Sequence, residues 1–203
     1  MNELPTGLSE APPGRRPLHT RKVECHGYIR DDGLFDIEGR ITDTKAYPFD
    51  NHHRGTLEPG NPVHDMLVRI TVDDELTIVA AEAFSNKTPY AICPLAALNF
   101  KRLAGIRIGP GYMHKVKAVY GRDKGCTHIL EILYPLGTTA YQTVFPYREY
   151  QRRLEGMSEG ESMRNGPPLN SCYAFSAHSP VVRELWPDKY EGPVPDGEAD
   201  AAA

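Results

Sequence analysis

The sequence has no run of about 20 apolar residues, the length a membrane-spanning helix requires. Its opening segment, MNELPTGLSEAPPG, has no positive stretch leading into an apolar one, so a secretion signal is not indicated and a cytoplasmic protein is expected. Basic charge is not in excess either: 27 acidic residues outnumber 23 Lys and Arg, for a formal net charge of -4. Binding to phosphates needs clustered cations. The one basic cluster, Arg15-Arg16 followed by Arg21-Lys22, is short and fits a solvated arm, so no nucleic-acid or membrane partner is expected. The four cysteines, Cys25, Cys93, Cys126 and Cys172, are widely spaced and form no Cys-x-x-Cys pair. That excludes a zinc ribbon or dithiol redox motif and favours reduced thiols. His-Glu-x-x-His, Gly-x-Gly-x-x-Gly and the phosphate-loop pattern are also missing.

What is present is ordinary globular material. Of 203 residues, 40% are apolar and 25% charged, enough for one sizeable core. Residues 1–20 and 191–203, rich in Pro, Gly, Ser, Ala and acid, read as flexible tails, and 155–170 as a long loop or linker inside a single domain over 21–190.

Val23, Cys25 and Ile29 alternate with Glu24, His26, Tyr28 and Arg30, which predicts a half-buried strand. The turn Asp31-Asp32-Gly33 leads to a returning strand with Phe35, Ile37, Gly39 and Ile41 on one face. Met66, Val68, Ile70 and Val72, the turn Asp73-Asp74-Glu75, then Leu76, Ile78 and Ala80 repeat the arrangement. Helices are expected over 94–103, 111–120 and 127–144, with a short piece at 181–185 stopped by Trp186-Pro187. Strands followed by helices, without βαβ alternation, define an α+β fold: a small antiparallel sheet of two hairpins covered by about three helices.

Within the third helix, CTHILEILYPLGTTAYQ contains one charged side chain, Glu131, and no Lys or Arg. His128, Glu131, Pro135, Thr138 and Gln142 recur at spacings of four and three, so they share one face of an otherwise apolar helix. A polar stripe on a buried helix must find partners, since each orphaned group costs roughly 1–3 kcal/mol. It therefore lines either an internal hydrogen-bond network or a pocket. Pro135 predicts a kink or a break into two helices. An imidazole three residues from a carboxylate makes His128 and Glu131 candidate catalytic groups.

His64-Asp65, after Gly60-Asn61-Pro62, is a second candidate catalytic pair on a loop, although a capping Asp beside an exposed His is the plainer reading. Thr138, Thr139, Gln142, Tyr112 and Tyr28 are the candidate substrate-binding residues. No metal is required by any motif; were one bound, Cys126, His128, Glu131 and His64 would be its N, S and O ligands, with zinc or iron as the ion. Cys93 before Pro94 and the Gly109-Pro110-Gly111 turn offer a thiol and free amides, but packing and turn formation account for them equally.

RKVECHGYIRDDGLFDIEGRITDTK, PVHDM, the ICP around Cys93, IGPGY, GCTHILEIL and TTAYQ occur in this order. In that order they resemble a bacterial family, domain of unknown function 2889, over residues from about 20 to 190. The resemblance implies no catalytic residues. It implies an association with the degradation of aromatic or steroid-like compounds, by context alone.

Three functions are therefore expected as alternatives. The first is an enzyme of lyase, hydratase or decarboxylase type using general acid/base chemistry on a hydrophobic, aromatic or polycyclic small molecule. The second is a zinc or iron enzyme or carrier, and the third a ligand-binding module without catalysis. The sequence leaves a homo-oligomer open.

Overall fold

The computed structural model describes residue 7 and residues 10–156 and 169–193. Part of the expected N-terminal tail, most of the expected C-terminal tail and much of the expected 155–170 loop lie outside the described residues. The chain divides into two compact units, Met1–Tyr147 and Arg148–Ala203.

The first unit is built on a four-stranded antiparallel sheet in the order β1-β2-β5-β6, with a small two-stranded sheet, β3-β4, beside it in the sequence. The strands are β1 (His19–Ile29), β2 (Phe35–Lys45), β3 (Phe49–Asn51), β4 (Gly55–Leu57), β5 (Pro62–Val72) and β6 (Ile78–Lys87). The two predicted hairpins are thus β1-β2 and β5-β6, and β2 pairs with β5 at the centre. Gly33, at φ +82°, supplies the left-handed residue of the first turn. The second turn is held by Asp73, whose carboxylate accepts from the amides of Glu75 and Thr77. Leu76 belongs to that turn, at φ 64°, and the returning strand begins only at Ile78.

All four main strands run longer than the apolar alternation suggested, because their ends carry charged residues. The helices are α1 (Pro94–Ala97), α2 (Tyr112–Tyr120), α3 (Thr127–Leu154) and α4 (Pro180–Leu185). The first expected helix is split into α1 and a 3-10 turn at Phe100–Leu103. No described helix is long and apolar enough to cross a membrane.

One face of the sheet is dry. Ile37 and Ile41 of β2 and Met66 and Ile70 of β5 are fully buried against Ile129, Ile132, Leu133, Leu136, Ala140 and Val144 of α3, with Val116 and Tyr120 of α2 in the same core. Each such aliphatic side chain contributes about 1.5–3 kcal/mol by leaving water. Gly39 sets how closely α3 approaches the sheet: a Cβ there would run into Ile132 and crowd Leu136.

α3 is a single helix through both Pro135 and Pro146, not a broken pair. The Pro135 carbonyl accepts from the hydroxyls of Thr138 (2.9 Å) and Thr139 (2.8 Å). Nor is the helix shielded from water around its girth. Glu131, Tyr134, Thr138, Tyr141 and Gln142 are exposed, so tyrosine and small polar groups stand where Lys or Arg usually do. Phe145 and Tyr147 still pack against the core, and beyond them the helix turns polar with Arg148, Glu149, Arg152 and Arg153.

Within the second unit, Ser179 caps α4 by accepting from the amide of Val182 at 3.1 Å, and Phe175 packs edge-on to Trp186 at 5.8 Å.

Candidate functional site

Strand periodicity builds the site. On β2 the inward positions Phe35, Ile37, Gly39 and Ile41 are followed two residues later by Asp43, so a carboxylate occupies the next slot of the dry face. The register places Arg21 of β1 opposite Asp43 on one side and His64 of β5 opposite it on the other. The row Arg21-Asp43-His64 thus follows the row Val23-Ile41-Met66. A bulge just beyond Asp43 ends the regular pairing, a common device where a strand must aim side chains at a site. The first turns of α3 bring Cys126, His128 and Glu131 to the same end of the sheet, as the contacts of His128 and Glu131 with this row show.

Asp43 is the hub, with 1% of its side chain exposed. Arg21 donates to it twice, Nε to Oδ1 at 2.8 Å and Nη2 to Oδ2 at 2.9 Å. His19 Nε2 lies 3.0 Å from Oδ1. On the other oxygen, Oδ2, His64 Nδ1 stands at 3.1 Å and His128 Nε2 at 3.8 Å. The two imidazoles stack with centroids 3.7 Å apart. Although His64 Nδ1 is within contact distance of the carboxylate, it is buried without a properly directed hydrogen bond among the described residues. The remaining Arg21 nitrogen, Nη1, pairs with Glu131. Cys126 Sγ lies 3.9 Å from the other nitrogen of His128, Nδ1, and 3.9 Å from Met66 Sδ.

The electrostatics follow from burial and neighbours. Burial pushes the Asp43 carboxyl up, but the hydrogen bonds and charge of Arg21, aided by the two histidines, outweigh it and hold Asp43 below its ordinary value. His64 is pushed down to about 4, first by burial and then by His128, against the opposing pull of Asp43. Burial also lowers His128. At neutral pH the centre therefore holds one carboxylate and two neutral imidazoles, each with a lone pair to offer. Asp43, His64 and His128 can present one ligand atom each with all three within 4.8 Å of one another.

Of the residues singled out from the sequence, His64 and His128 meet here. Glu131 reaches the site through Arg21 rather than through His128, and is exposed. Asp65 does not join them: adjacent strand residues point to opposite faces, and Asp65 lies on the outer face, accepting from Arg40 Nε and Nη2 (2.8 and 3.0 Å) and pairing with Asn86. Tyr28 is on that outer face too, beside His26.

The polar stripe of α3 splits. Thr139 lies beside Cys25 of β1, and Thr143 packs on Gly27, where a Cβ would collide with it. Thr138 and Gln142 face outward. Tyr112 and Thr138 line a separate groove of 430 Å³ with Tyr134, Gly137 and Tyr141. Gly137 lies roughly 14 Å along α3 from His128 at 1.5 Å per residue. The Tyr112 hydroxyl is buried without a partner among the described residues, and its pKa is raised by burial.

The sequence reading missed Asp43, Arg21 and His19. The available signal was a charged residue in the apolar register of a strand: Asp43 two places after Ile41, Arg21 two before Val23.

Fold and site together define an α+β protein with a two-histidine, one-carboxylate cluster at the end of its sheet. The chain belongs to a family described as protein of unknown function (DUF2889), whose family model matches residues 19–142. The match begins at His19 and includes every residue of the cluster. No curated protein and no solved structure matches the chain significantly.

Proposed function

We propose that this chain is a small-molecule enzyme whose centre is a divalent cation, zinc or iron, held by Asp43, His64 and His128. One observation carries this reading: Asp43 Oδ2, His64 Nδ1 and His128 Nε2 converge while both imidazoles are kept neutral. Two His nitrogens and one carboxylate oxygen suit zinc or non-haem iron, leaving positions open to water or substrate. The off-line His64 Nδ1, buried beside a carboxylate oxygen, gains a partner when a cation sits between them. Two carboxylates, Asp43 and Glu131, against one guanidinium leave a net negative charge to receive the ion. Cys126 beside His128 Nδ1 supplies the second contact that orients a ligand imidazole. Such a centre polarises a carbonyl or activates water, which serves reactions of lyase, hydratase or decarboxylase type.

The Arg21-Asp43 double hydrogen bond favours a second reading, because it already satisfies the carboxylate. In that reading no ion is bound, and His64 and His128 move protons directly, with Asp43 orienting them.

Metal analysis of protein purified without an affinity tag decides between the two. The first reading requires about one zinc or iron per chain, lost in His64→Ala and His128→Ala variants that remain folded. A metal-free wild-type protein that takes up neither ion in titration would overturn it in favour of the second.

A further inference from the structure

The Arg21 guanidinium stands at the part-exposed edge of the cluster, between a buried and an exposed carboxylate. The guanidinium of Arg21 commits Nε and Nη2 to Asp43, which is fully buried and cannot be displaced by solvent or ligand. Its third nitrogen, Nη1, pairs with Glu131. That pair differs in kind: Glu131 is 54% exposed, on the outward side of α3, and Arg21 is itself 35% exposed. Exposed ion pairs are worth little, since water screens them and two long side chains must be held in one geometry. His19, also partly exposed, stands on the same carboxylate at 3.0 Å, so its imidazole borders Arg21 at the rim.

We propose that Glu131 is a displaceable stand-in for substrate, and that Arg21 Nη1 binds the carboxylate of a small carboxylic acid whose reacting end is directed to the Asp43-His64-His128 centre. This rests on reading that cluster as the reaction centre. An incoming carboxylate takes over the hydrogen bond of Glu131, so Arg21 loses no partner, while Glu131 rotates into water, where it is readily solvated. The fork of arginine is pre-shaped for carboxylate oxygens, and the two bonds to Asp43 fix its plane before ligand arrives. Neutral analogues of the same shape can offer Nη1 only an uncharged carbonyl oxygen, a weaker acceptor than a carboxylate.

The test is titration of the full chain with benzoate and, as the neutral control, benzamide, by calorimetry or ligand-observed NMR. Wild-type protein should bind benzoate in preference to benzamide. Glu131→Gln, which removes the competing charge, should tighten benzoate binding by up to about fivefold and change benzamide binding less. Arg21→Lys, which keeps the charge but loses the fork, should weaken benzoate binding, and metal content measured on the same samples separates the two ideas. Benzoate affinity indifferent to both substitutions, in protein that carries its ion, overturns the carboxylate subsite while leaving the metal centre standing. Tightening by Glu131→Gln in protein that neither carries nor takes up zinc or iron supports the subsite and sinks the metal centre.

Discussion

Asp43 and His64 face each other directly across the β2-β5 pair, with Oδ2 and Nδ1 3.1 Å apart in a row whose preceding members, Ile41 and Met66, are fully buried. A carboxylate and an imidazole thus occupy positions that strand geometry reserves for core residues. Five expectations follow from that placement and from the packing around it.

Asp43→Asn should lower stability by about 2 kcal/mol in urea unfolding, because Arg21 loses a charge-assisted double hydrogen bond at a buried site. It should also reduce ion uptake. An unchanged midpoint would mean that the Arg21 pair contributes nothing net.

Stability should fall as pH drops from about 6.5 towards about 4. His64 is held neutral in the folded chain down to about 4, whereas in the unfolded chain it takes up a proton near 6.5. Across that window the unfolded state binds more protons, so acid favours it. Thermal unfolding should show this slope in wild type and a flatter one in His64→Gln; equal slopes would discount His64 as the source.

Cys126→Ala should weaken ion affinity by roughly 10- to 100-fold without altering the ligand set, because His128 loses the neighbour at Nδ1 that fixes its ring. Competition with a chelator of known affinity measures this directly.

Asp65→Asn serves as the contrasting substitution. It removes the partner of Arg40 on the opposite face of the sheet and should cost about 1–2 kcal/mol. Metal content and benzoate affinity should stay at wild-type values. A loss of either would show that the two faces are coupled through β5.

Gly39→Ala should destabilise by about 1–3 kcal/mol, since the new methyl meets Ile132 and Leu136 where α3 lies closest to the sheet. Calorimetry or urea titration checks it, and neutral behaviour would imply that α3 shifts outward freely.

The candidate site was half legible. His64 and His128 stood out as polar groups at the edges of apolar segments, and the structure stacks their rings. Asp65 was chosen because it neighbours His64 in sequence, but a strand sends neighbours to opposite faces, and only a strand reaching back to Pro62 reveals that. Glu131 was paired with His128 from helical spacing, yet its charge is taken by Arg21, 110 residues away.

The sequence by itself determined the two hairpins and the helix positions, because periods of two and of three to four are local properties that a buried face imposes on a short segment. It also determined that α3 would carry a polar stripe. Only the tertiary structure decided that Arg21, Asp43 and His64 form one row, since strand register is a long-range pairing that no local pattern encodes. The docking of α3 at that end of the sheet then turned three scattered polar residues into a centre, because burial kept the two imidazoles neutral while Arg21 kept Asp43 charged once they met.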